Sequence, residues 1–111
     1  MESVECGAAC LAMVLAYHGR HVPLPEMREA CSVSRDGVNA LAILRAARAH
    51  GLEAEAFRAE CEDLDQLPLP AIIHWEFRHF VVLEKMSLKR GAVIVDPGGG
   101  RRQIPMDRLR Q

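Results

Sequence analysis

From Cys6 to Tyr17 nearly every side chain is apolar, and Gly19 follows as a helix stop. A helix written this way has no polar stripe to offer to water, so it must be covered on most sides. The rest of the chain therefore has to be arranged around it. At 111 residues, half of them hydrophobic, the chain can form one core around such a central helix and hardly two. Residues 1–111 read as a single domain.

Two more helices are predicted in the first half. Leu24–Ala30 carries a proline near its start and acidic residues in its first turn, and Asp36-Gly37 marks a turn before the run Val38–His50. In that run Leu41, Leu44 and Ala47 recur at helical spacing, and Gly51 caps the end. After Gly51 the pattern changes: Leu52–Phe57 alternates, and Pro68-Leu69-Pro70 breaks the chain. Ala71–Trp75, Phe80–Leu83 and Ala92–Val95 are then short β-branched runs that read as antiparallel sheet. Helices first and strands afterwards, without regular alternation, is the α+β pattern, with N-terminal helices packed on a C-terminal antiparallel sheet.

Charge and length exclude several classes. With 14 Lys+Arg against 15 Asp+Glu the formal charge is −1, which argues against a nucleic-acid binder. The longest uninterrupted apolar run, Ala8–Tyr17, is too short for the roughly 20 residues that cross a bilayer. Acidic Glu2 and Glu5 stand where a signal peptide carries basic residues, so neither a membrane span nor an export signal is read. The four cysteines are then reduced thiols in a cytosolic setting. From Lys85 onward seven basic residues face two acidic ones, a local balance of +5 against −6 in the first 84 residues. That stretch reads as a solvated basic surface; the sharper alternative is a face for an acidic peptide.

Cys6 stands where the central helix begins, so the positive end of the helix dipole favours an anionic sulfur there, and Gly7 and Ala8 leave room for a substrate backbone. A cysteine at a helix end is also commonly a small buried residue. The strands supply a second element. A hairpin whose turn centres between Ser87 and Leu88 pairs Val81 with Ile94 and, at its open end, His79 with Asp96, close enough for an imidazole–carboxylate hydrogen bond. The same pair equally serves to close a sheet edge. A cysteine early in the chain, a distant His and an acid on the neighbouring strand form a Cys–His–acid arrangement in papain-like order.

At this point a family resemblance enters. Glu5-Cys6-Gly7-Ala8-Ala9-Cys10-Leu11-Ala12-Met13-Val14-Leu15-Ala16-Tyr17-His18-Gly19 resembles the acid-Cys-Gly-x-x-x-Leu-x-Met…Tyr-x-Gly signature of the C39 peptidases, the papain-like domains of bacteriocin-processing ABC transporters. Ser34–Val38, His79–Leu83 and Asp96-Pro97 resemble the middle, His and Asp motifs of that family. The resemblance implies a papain-like fold and a cysteine endopeptidase, without a cofactor, that removes the leader of a bacteriocin- or lanthipeptide-type precursor after Gly-Gly or Gly-Ala. Export of the released peptide is coupled to the cut. It implies Cys6 as nucleophile, His79 as general base and acid, and Asp96 as the residue that orients His79. The implied partners are a precursor with an amphipathic helical leader and the membrane and ATPase domains of a transporter, fused or separate; the implied place is the cytoplasm at the inner face of the membrane. The alternative is a transporter domain that docks the leader without cutting it.

The family also places an oxyanion-hole Gln six residues before the nucleophile, a position that falls before residue 1. The Cys6 backbone N–H is left as the evident donor, and losing one such donor typically costs about 10²–10³ in rate. The expectation is a domain trimmed at both ends and impaired accordingly, with Met106–Gln111 as the opening of a helix cut short. Trp75 and Phe77 are candidates to wall a slot for glycine-sized residues, with core packing equally open to Trp75. Cys6 and Cys10 are four apart, but no second pair has ligand spacing, so no metal site is read. Gly98-Gly99-Gly100-Arg101-Arg102 lacks the Lys-Ser/Thr ending of a phosphate loop and reads as a flexible strand connection.

Overall fold

A computed structural model describes residues 6–31, 40–55, 61–75 and 79–109. Helix α1 spans Cys6–Tyr17, and Cys6–Leu11, Val14 and Leu15 are all buried. Its end follows from Gly19, which at φ +80° accepts a backbone turn that side-chain-bearing residues resist. Gly19 N donates to Ala16 O and Arg20 N to Leu15 O, so the last carbonyls of the helix find partners in a Schellman pair. Helix α2 spans Leu24–Ala30 with Met27 fully buried, and α3 spans Ala40–Ala49. The same pair of bonds, Gly51 N to Arg48 O and Leu52 N to Ala47 O, closes α3.

The described second half is a 3₁₀ segment, Cys61–Gln66, followed by strands β1 (Ala71–Trp75), β2 (His79–Ser87), β3 (Gly91–Asp96) and β4 (Gly100–Ile104) and a short helix α4 (Met106–Leu109). The strands form one antiparallel sheet in chain order. Strand β2 is covered on both faces, and its alternation divides the core. Phe80 and Val82 join the cluster built by α1, α2 and α3, while Val81 and Leu83 join Leu64, Ala92, Ile94 and Ile104. Leu11 and Leu15, at most 1% exposed, carry the packing of α1 onto this sheet; truncating such a leucine typically costs about 2–5 kcal/mol.

Three sequence expectations are corrected. Leu52–Glu55 forms no strand; Leu52 and Ala54 pack against the helical cluster, and the Arg48 guanidinium donates to Ala54 O, so their alternation reflects packing of irregular chain. Phe57 lies outside the described residues. Next, Gly100–Arg102 is not a connection but the start of β4, because Asp96 folds the chain back within Pro97–Gly99 and pairs with Gly100.

The third correction concerns the hairpin. Ile94 pairs with Leu83, not Val81, and Val95 pairs with Val82, so His79 and Asp96 are not directly opposed. The turn displaces the register: it closes at Ser87↔Gly91, with Ser87 Oγ accepting from the N–H groups of Lys89 and Arg90, and a bulge between Leu83 and Lys85, which adds a residue to β2, takes back one step of that displacement. Gly91, at φ +90°, sits where a Cβ would strike the Ile104 carbonyl and approach Pro105 Cα to 2.9 Å. Gly91→Ala is expected to lower stability by about 1–3 kcal/mol, read as a lower urea midpoint; an unchanged midpoint would contradict this turn.

Candidate active site

Cys6 is the first residue of α1 and is 3% exposed. Its Sγ accepts the backbone N–H of Phe80 at 3.3 Å, across 74 residues of chain. One helical turn further on, Cys10 Sγ donates to the carbonyl of the same Phe80 at 3.2 Å. The head of α1 and the opening of β2 are therefore joined through sulfur. Burial pushes the Cys10 thiol far above its ordinary range, and the charges of Cys6 and Asp96 add to that shift. Cys10 therefore keeps its proton.

Asp96 ends β3 and is the buried charged residue among those described, at 8% exposure. Its Oδ1 accepts Gly98 N–H at 2.8 Å and its carbonyl accepts Gly99 N–H at 3.1 Å, an Asx-type turn that fixes the carboxylate at the strand end. Arg102 Nη2 stands 3.8 Å from Oδ2.

Along the other half of α1 lies an open groove of about 330 Å³, lined by Met13, Ala16, Tyr17, Val82, Glu84, Val95 and Arg101. Its floor is apolar and its rim is polar: Arg101 Nε and Nη2 reach the two Glu84 oxygens at 2.8 and 2.9 Å, and Tyr17 Oη also donates to Glu84. The Arg101 hydrogen bond holds the Glu84 carboxyl below the usual carboxylate range. A carboxyl lowered on folding contributes stability that is present above its unfolded value and is lost as pH falls through the folded one. Glu84→Gln is therefore expected to lower the urea midpoint slightly at pH 7, Arg101 being exposed, and the two proteins should converge in acid. A difference that persisted in acid would exclude the ion pair as its cause.

A family model described as the peptidase C39 family matches residues 1–111. The chain belongs to the peptidase C39 family. It is 36% identical over 109 residues to the colicin V secretion/processing ATP-binding protein CvaB of Escherichia coli, an alignment covering 97% of this chain and 15% of that protein. It is 34% identical to the pediocin PA-1 transport/processing ATP-binding protein PedD of Pediococcus acidilactici, with 87% and 14% covered. The C39 chain thus spans about one seventh of the length of these curated relatives. Among solved structures, a double glycine motif protease from an AMS/PCAT transporter, crystallised with the leader peptide, is 53% identical. It superimposes with a TM-score of 0.92 over 99% of this chain and 79% of that one. The peptidase domain of Streptococcus ComA, at 24% identity, shares the fold with a TM-score of 0.87 over 99% and 85% of the two chains. The expected papain-like α+β arrangement, helices first and an antiparallel sheet after them, is the observed one.

Of the residues singled out from sequence, the C39 domain places Cys6 and Gly7 in the buried first turn of α1 and Asp96 at the end of β3. The backbone of His79 opens β2 and pairs with Trp75 at the end of β1; the side chains of both, and Phe77 entirely, lie outside the described residues. Among the described residues no group of His, Cys, Asp or Glu is arranged to hold a metal, and no helix is long and apolar enough to cross a membrane. Sequence reasoning missed the part played by Phe80, whose backbone meets both cysteines, and the Tyr17–Glu84–Arg101 clasp. Glu84, the charged residue that ends the apolar run Phe80–Leu83, was the available sign of the clasp; backbone groups leave no sign in a sequence.

Proposed function

We propose that this C39 domain is a cysteine endopeptidase that cuts a precursor peptide at the end of a Gly-Gly or Gly-Ala leader, with Cys6 as nucleophile, His79 as base and acid and Asp96 as its orienter. The observation that carries the reading is the 3.3 Å hydrogen bond by which the residue following His79 meets the sulfur at the head of α1. The Cys6 thiolate attacks the carbonyl carbon of the leader's last residue, and charge develops on the carbonyl oxygen near the helix N-terminus. As the C–N bond breaks, His79 gives its proton to the departing amine, leaving the leader as a thioester on Sγ. Water, deprotonated by His79, then attacks the thioester; the leader leaves as a carboxylate and the thiolate is restored. Gly7 provides the small surface the substrate backbone needs.

The groove along α1 suits the apolar side chains of an amphipathic leader helix. Met13 stands seven residues beyond Cys6, about 10 Å along the helix, so a few extended residues bridge from docked helix to scissile bond. The relatives named as transport and processing proteins support a place beside membrane and ATPase domains at the cytoplasmic face of a membrane, fused or separate. Incubation with a double-glycine precursor should yield one cut, after the second glycine, seen by mass spectrometry. Stable binding of the precursor without a cut would replace this reading with leader docking.

A further inference from the structure

The reaction proposed above uses one of the two thiols in the opening turns of α1, and the other is not idle. In an antiparallel strand the N–H and C=O of one residue point to the same edge, and successive residues alternate between edges. Phe80 pairs with His74 of β1, but the pairing of β2 with β3 begins only at Val82↔Val95, and β3 ends at Asp96. Phe80 thus lies past the end of the β3 ladder, in a position only 7% exposed. A buried N–H and C=O left there without partners would be costly. The cysteines stand in for the missing strand: Cys6 Sγ accepts the N–H at 3.3 Å and Cys10 Sγ donates to the C=O at 3.2 Å.

We propose that Cys10 is a positioning residue for the cleavage reaction: its S–H bond to the Phe80 carbonyl completes a two-bond bracket that fixes the start of β2, and with it residue 79, relative to the Cys6 sulfur. The proposal rests on the assignment of Cys6 and His79 made above. The two sulfurs have opposite tasks in the bracket. A carbonyl oxygen accepts only, so Cys10 must keep its proton, whereas Cys6 receives the N–H and must be able to lose its own. Burial and the neighbouring charges of Cys6 and Asp96, which push the Cys10 thiol upward, maintain that division. The requirement at position 10 is then for a buried donor, and not merely for a small side chain.

Cys10→Ala and Cys10→Ser separate these requirements, and Cys10→Val, which fills volume without a donor, replaces the alanine variant should that one not fold. In the otherwise unaltered protein, kcat and KM on a double-glycine precursor peptide are measured together with hydrogen exchange of the Phe80 amide. Loss of the donor is expected to reduce kcat about 10–100-fold at a KM within about twofold, as small misplacements of reacting groups do. It should also speed Phe80 exchange about tenfold while Leu83 is unchanged. Cys10→Ser should restore both. A donor-free variant with parental kcat, or a serine variant as impaired as the alanine one, overturns the proposal, as does unchanged Phe80 exchange. Were the parent itself to make no cut, the peptidase reading would fail, while the exchange data would still decide whether Cys10 holds the bracket.

Discussion

Replacing Cys6 by alanine is expected to abolish precursor cleavage, lowering kcat by about 10⁴–10⁶, the loss typical of removing a covalent nucleophile. Leader binding should stay within about threefold, since the groove begins at Met13, nearly two turns away. Neither Cys10 nor Cys31 is placed to take over. Cys10 lies on the same helix, but it is wholly buried, committed as a donor to Phe80 and pushed upward by its surroundings. Cys31 is also buried, within the helical cluster, and burial raises its thiol too. Mass spectrometry of the peptide after long incubation is the decisive measurement. Residual cutting above about one hundredth of the parental rate would remove Cys6 from the nucleophile's role and direct attention to another group.

Much of the helical half is legible in the sequence because its signals are local. Helix α1 begins and ends where the apolar run and Gly19 place it, since a Schellman turn needs only the glycine and the carbonyls just before it. The sheet is legible only where strands are buried. Val81, Val82 and Leu83 identify β2, but its continuation through Glu84, Lys85, Met86 and Ser87 is partly polar and is held by pairing with β3. Strand β4 is more extreme: Gly-Arg-Arg-Gln has no strand propensity and forms an edge strand through its register with β3. The bulge within the hairpin is equally hidden, for nothing local at Glu84 says that a residue will be skipped by the partner strand.

The site divides along the same line. Cys6 is legible from its place at a helix head, and Asp96 from its place at a strand end before a Pro-Gly turn. What ties Cys6 to β2 is not, because the joining atoms belong to the Phe80 backbone and because Cys10, buried in the core, is at the same time a donor. A residue can satisfy the hydrophobic pattern and a polar requirement together when it carries sulfur, which is both apolar enough for a core and able to give a weak hydrogen bond.

Asp96→Asn is expected to lower kcat by about 10²–10⁴ with little change in KM, an effect of the size that follows when the orienting acid of a catalytic imidazole loses its charge. The corrected register makes this test informative. Val95 opposes Val82, so the next position along β3 faces Val81, two residues from position 79, and a diagonal relation of that kind still lies within reach of longer side chains. Asp96 also has a structural task, because its Oδ1 accepts Gly98 N–H at 2.8 Å. Asparagine keeps an oxygen for that bond and so should preserve the turn into β4, losing only the charge that faces Arg102. Alanine loses both, and should fall in activity and in urea midpoint together. If Asp96→Asn keeps the parental midpoint and the parental kcat, the carboxylate serves the turn alone, and the imidazole must be oriented by something else.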